Sequence, residues 1–145
     1  MPFIKVWVHL IWSTKNRSKF ITPDLKYKLY DHIKDNAQKK EIYVDFINGI
    51  EDHIHLLISI KAEQSLSKIT QLIKGESSFW VNQNNLLDKK FEWQDEYIAV
   101  SVSESMIPKV REYIKNQEEH HRKKSFAEEV ELFLEKYAFK KDVNG

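Results

Sequence analysis

The 145-residue sequence predicts an α+β fold: a ferredoxin-like βαββαβ antiparallel sheet with additional C-terminal helices, forming a single domain over residues 1–145. Two observations carry this. Stretches of alternating apolar residues, the period of a half-buried strand, are interleaved with stretches of 3.6-residue period in the order strand, helix, strand, strand, helix, strand. Two more helical stretches then follow, with no linker rich in Pro, Gly or Ser to divide the chain.

Each element has its own warrant. FIKVWVHLIW places Ile4, Val6, Val8, Leu10 and Trp12 on one face of a first strand. In TPDLKYKLYDHIKDNAQKK, Thr22 caps a helix, Pro23 takes its first position, and Leu25, Leu29 and Ile33 form the buried stripe. EIYVDFING is a second strand, with Asn48-Gly49 expected to begin the turn into a third strand at 53–60. SLSKITQLIKGESSFWVNQ is a second helix with Leu66, Ile69, Ile73 and Trp80 on one side, and YIAVSVS is a fourth strand. SMIPKVREYIKNQEEHH and SFAEEVELFLEKY are the closing helices, the last with capping-box spacing at Ser125 and Glu128.

Bulk properties narrow the function classes. Lys and Arg number 23 against 22 acidic residues, a formal charge of +1, so net charge selects neither nucleic acid nor membrane. With no cysteine there is no disulfide framework and no thiolate metal site. No apolar run approaches the roughly 18 residues of a membrane span, and the N-terminal residues lack the pattern of a signal peptide; a cytoplasmic protein is expected. Three scattered glycines form neither GxGxxG nor a Walker-type loop, so no nucleotide cofactor is expected.

The chemistry concentrates in EDHIHLLISI. On a strand, Ile54, Leu56, Ile58 and Ile60 share one face, and His53, His55, Leu57 and Ser59 share the other. Two residues on one face stand about 6.5–7 Å apart, close enough for two imidazoles to converge on one ion. Imidazole suits zinc, copper, iron or nickel, and also joins oxygen ligands around manganese or magnesium. The alternative is a pair of polar side chains on a solvated sheet face.

With Ser105 as N-cap, the helix after the fourth strand carries Val110, Tyr113, Ile114 and Gln117 on one stripe, pointing a phenol and a neutral amide towards the sheet. The alternative is a half-buried core tyrosine beside a stripe-edge glutamine. His120 and His121, beside Arg122, Lys123 and Lys124, read as helix-end caps or phosphate contacts rather than as ligands.

DHIHLLISI, WQDEY, SVSES and VREYIKNQEEHHRKKSF, together with the earlier HLIWSTKNR, resemble the single-tyrosine HUH transposases of small bacterial and archaeal insertion sequences, the IS200-like type. The resemblance spans roughly residues 5 to 130. It implies a divalent metal, magnesium or manganese, on His53, His55 and Gln117, with Tyr113 as the nucleophile. It implies single-stranded DNA with hairpin ends as substrate, a 5′-phosphotyrosine intermediate, and a homodimer whose tyrosine helix reaches the other subunit's histidines. Glu96 departs from the pattern, since glycine is frequent there. The YIKNQEEHH segment looks unlike relatives attached to repetitive extragenic palindromes and favours the mobile-element type.

Basic groups that could hold the DNA backbone are Lys15, Arg17 and Lys19 after the first strand, Lys89 and Lys90 before the fourth, and Arg122, Lys123 and Lys124 after the tyrosine helix. The competing reading, from another class, is a non-catalytic RNA- or single-stranded-DNA-binding ferredoxin-like module, with Trp7 and Tyr43 stacking bases on an exposed sheet face. A zinc hydrolase has only the imidazole preference behind it.

Overall fold

The computed structural model describes residues 3–137. A four-stranded antiparallel sheet has the order β2-β3-β1-β4, formed by β1 (Val6–Ser13), β2 (Tyr43–Ile50), β3 (His53–Ile60) and β4 (Ile98–Val102). Two long helices, α1 (Pro23–Lys39) and α2 (Leu66–Gln83), connect the strands, and α3 (Ile107–Lys115), α4 (Gln117–Lys123) and α5 (Phe126–Lys136) follow. The α+β, ferredoxin-like expectation stands. Among the described residues no helix is long and apolar enough to cross a membrane.

The alternation read in the sequence becomes two differently covered faces. Val8, Leu10 and Trp12 of β1 and Ile54, Leu56 and Ile58 of β3 pack against Leu25, Leu29 and Ile33 of α1 and Ile69 and Ile73 of α2. The opposite face carries a smaller cluster, in which Trp7 and Leu57 meet Ile107 and Ile114 of α3. Asp45 sits at a bulge in β2, which puts Val44 and Ile47 on the core face although they are three apart. The bulge leaves Asp45 facing α3, where Arg111 donates to it through Nε at 2.7 Å and through Nη2 at 2.8 Å.

Helix starts follow the caps. Thr22 accepts from the Leu25 amide, Ser65 from Lys68 and Ser125 from Glu128. Three boundaries differ from expectation. Asn48 and Gly49 do not begin the turn; both lie within β2, and the turn is Glu51–Asp52. Gly49 is needed there for close approach, because a Cβ would lie 2.1 Å from the His53 carbonyl oxygen. Ser105 is not the N-cap of α3 but part of a 3-10 turn, Glu104–Met106, so Pro108 falls one position earlier in the helix. The tyrosine helix is also not continuous to His121. It breaks at Asn116, where Asn48 Nδ2 takes the carbonyls of Ile114 and Lys115, which a continuing helix would have used itself.

Candidate active site

β3 is an interior strand, and α3–α5 cover its second face, so His53 and His55 are sealed rather than solvated: both are 0% exposed. The reading of them as surface polar residues therefore fails. Trp7 is also buried, so it offers no open platform for base stacking, although Tyr43 remains exposed.

The structure brings His53, His55, Tyr113 and Gln117 together within one chain. The rings of His55 and Tyr113 are 5.7 Å apart, and Gln117 Oε1 stands 3.2 Å from His53 Nε2. At their centre is a residue the sequence reading passed over, Glu129 of α5. Its Oε1 lies 3.1 Å from His55 Nε2 and 3.5 Å from His53 Nε2. Its Oε2 accepts from the Tyr113 hydroxyl and from Gln117 Nε2. One signal was available: Glu129 shares a helical stripe with Phe126, Val130 and Phe133, and a charge on an apolar stripe calls for buried partners.

Each histidine has an outer partner. His53 Nδ1 is 2.8 Å from Asp52 Oδ1, and Arg17 Nε lies 3.8 Å from the other Asp52 oxygen. His55 Nδ1 is 2.9 Å from Nε2 of a third buried histidine, His9 on β1. In the sequence His9 stands out only as the first residue of HLIWSTKNR. His121 is corrected from a helix-end phosphate contact. Its ring lies 4.6 Å from that of His53, with Nε2 3.4 Å from Glu129 Oε1. His120 packs its ring 4.6 Å from that of Tyr113.

Burial and charge oppose each other here. Burial pushes the Tyr113 phenol well up, and the Glu129 charge adds to the rise. Burial alone would raise Glu129, but hydrogen bonds from His53 and His55 outweigh it and hold the carboxyl far below its usual range. Burial brings His55 down to about 4 and His9 well below an ordinary histidine. Burial also acts to lower His53, yet hydrogen bonds to Asp52 and Glu129 leave it above its ordinary value.

His53, His55 and Glu129 offer one ligand atom each, all within 4.8 Å of one another and all buried, so the group could hold a metal ion. Two imidazoles, a carboxylate and a neighbouring amide oxygen suit a divalent cation that accepts mixed nitrogen and oxygen donors. A cleft of about 360 Å³ opens beside this group, with Tyr113, Glu129 and Phe133 in its wall and Lys109, Lys124 and Lys136 around it. Of the other expected basic contacts, Lys15 pairs with Glu92 at 3.6 Å and Arg122 with Glu119 at 3.1 Å. Lys19 lies in the loop before α1, and Lys123 is in the last turn of α4.

A ferredoxin-like sheet thus carries a His-x-His strand beneath the helix that bears Tyr113. The family model for "Transposase IS200 like" matches residues 3–117, and the chain belongs to that family. It is 28% identical over 114 residues to ISDra2 transposase TnpA of Deinococcus radiodurans, covering 75% of this chain and 81% of that protein. Among solved structures, a candidate transposase from D. radiodurans superposes with a TM-score of 0.65 at 24% identity, over 80% of this chain and 93% of that one. A REP-associated tyrosine transposase bound to a REP hairpin gives 0.57 at 15% identity, over 85% and 71%. At these identities the two structures speak for the fold.

Proposed function

We propose that this transposase cuts and rejoins single-stranded DNA at hairpin-bearing element ends through a 5′-phosphotyrosine on Tyr113. The observation that supports it most is Glu129, whose carboxylate meets the Tyr113 hydroxyl on one oxygen and the two histidines on the other. Nucleophile and cation-holding nitrogens thus converge on one point.

His53, His55 and Gln117 would hold magnesium or manganese, with Glu129 as a further donor. The cation supplies Lewis-acid polarisation of the phosphodiester. Tyr113 Oη attacks phosphorus, the bond to the 3′ oxygen breaks, and the hydroxyl proton, held by Glu129 Oε2, ends on the released 3′-OH. The phosphotyrosine keeps the energy of the broken bond, so rejoining to another 3′-OH needs no nucleotide. Lys15, Arg17, Lys19, Arg122, Lys123 and Lys124 would hold the DNA backbone, as phosphate contacts give affinity without sequence readout. A DNA substrate agrees with a cytoplasmic protein.

The proposed assembly is a homodimer in which α3–α5 exchange between subunits, so that contacts made here within one chain are made across the two-fold. The link at residues 103–106, exposed throughout, suits a hinge.

The test is Tyr113→Phe with hairpin DNA and manganese. The variant should fold and bind the DNA but form no covalent protein–DNA adduct. An adduct of undiminished yield would move the nucleophile elsewhere, Tyr97 and Tyr137 being the next tyrosines to examine.

A further inference from the structure

His9 takes no part in the reaction just described, yet it is 2% exposed and sits on the strand next to β3, facing the same way as His55. The two rings lie 5.1 Å apart, and His9 Nε2 is 2.9 Å from His55 Nδ1. A hydrogen bond between two imidazole nitrogens needs one N–H and one lone pair, so the tautomers of the two rings are tied together. The other nitrogen of His55 faces Glu129 Oε1 at 3.1 Å. A carboxylate only accepts, so here neutral His55 carries its proton on Nε2 and leaves a lone pair on Nδ1. His9 Nε2 must therefore donate. If His55 Nε2 instead gives its lone pair to a cation, the proton must sit on Nδ1, and His9 Nε2 must accept. His53 needs no such reversal, because its Nδ1 faces Asp52, which accepts in either state.

We propose that His9 is the positioning residue of His55, holding it through a hydrogen bond whose direction reverses when a divalent cation takes His55 Nε2. The inference rests on the cation reading above. Protons balance. One crosses from His9 Nε2 to His55 Nδ1, the Nε2 proton of His55 leaves by way of Glu129 to water, and His9 Nδ1 takes one from the cleft that His9 helps to line. Each ring holds one proton before and after. A residue at position 9 that cannot accept would leave the cation-competent tautomer of His55 unsupported in a buried site.

Long-range 15N–1H correlation on protein with 15N-labelled histidine tests this without any substitution. His9 and His55 should both be Nε2–H without added cation and both Nδ1–H at saturating magnesium. Magnesium that shifts the His53 and His55 signals without moving these two protons overturns the role of His9 and leaves the cation site standing. Manganese titration, followed by the EPR signal of the free ion, gives a second readout. His9→Leu should weaken binding about 10–100-fold, the usual effect of losing an outer-sphere partner. His9→Gln, whose amide can donate or accept, should recover most of it. Equal affinity in wild type and both folded variants also overturns the proposal. If the wild type binds neither magnesium nor manganese, the cation reading fails and the inference falls with it.

Discussion

Asn48 Nδ2 donates to the carbonyl of Ile114 at 3.0 Å, and it reaches the Lys115 carbonyl at the same distance. A strand residue thereby closes the helix that carries Tyr113 and turns the chain so that Gln117 enters the next helix facing His53. Asn48→Ala should cost about 1–2 kcal/mol, since two helix-end carbonyls lose their donor. It should also lower manganese affinity by freeing Gln117. Urea denaturation and a metal titration measure the two effects separately.

Glu129→Gln keeps the shape of the side chain and removes its charge. The charge is part of what holds the Tyr113 phenol up, so the phenol should titrate at lower pH in this variant than in the wild type. Burial remains, so it should still titrate above an exposed tyrosine. Phenolate absorbance, read against matched proteins carrying Tyr113→Phe, isolates this one group. An unmoved curve would mean that burial alone sets it.

Lys26 is buried on α1, and its Nζ donates to Glu118 Oε1 of α4 at 2.9 Å. That hydrogen bond holds the Glu118 carboxyl below its ordinary value. A depressed carboxylate contributes stability above its unfolded pKa of about 4.3 and loses that contribution as pH falls through its folded value. Glu118→Gln should therefore be less stable at pH 7 by about 1 kcal/mol, the upper range for a pair with an exposed partner. Thermal melts across pH should show the gap closing below about pH 4.

Mixing two inactive chains tests the exchanged dimer. A His53→Ala chain and a Tyr113→Phe chain should regain cleavage on co-assembly, because one site of the mixed dimer then has both histidines and the tyrosine. Silence in heterodimers shown to form would mean that each site is built within its own chain, as in the packing described above.

The elements were legible where one local rule acted alone. The alternation of β3 gave its limits of 53 and 60, and Thr22-Pro23 gave the start of α1. Asn48-Gly49 misled because it is the strongest short hairpin signal, while two long-range demands overrode it: the approach of Gly49 to His53 and the grip of Asn48 on α3. The site was legible where its residues stand at a fixed short spacing, as in His53 with His55 on one strand and Tyr113 with Gln117 four residues apart, although the break at Asn116 puts that second pair on successive helices. His9 and Glu129 reach it from β1 and α5, and only the strand register and the packing of α5 bring them there. His121 misled for the same reason, since its place beside His53 depends on how α4 turns after Asn116.

The two faces of β3 are secured unequally. One is locked by the large core beneath α1 and α2, the other by Trp7, Leu57, Ile107 and Ile114 with a few half-buried neighbours. Free energy of opening follows buried apolar contact, so α3–α5 should part from the sheet in a sub-global step well below full unfolding. Their amides should accordingly exchange with deuterium ahead of those in β1 and β3. His53 and His55 meet no solvent while those helices are down. In the proposed reaction a phosphodiester would reach them only in the opened population, and turnover would be bounded by how often that population forms before it is bounded by any contact made inside it.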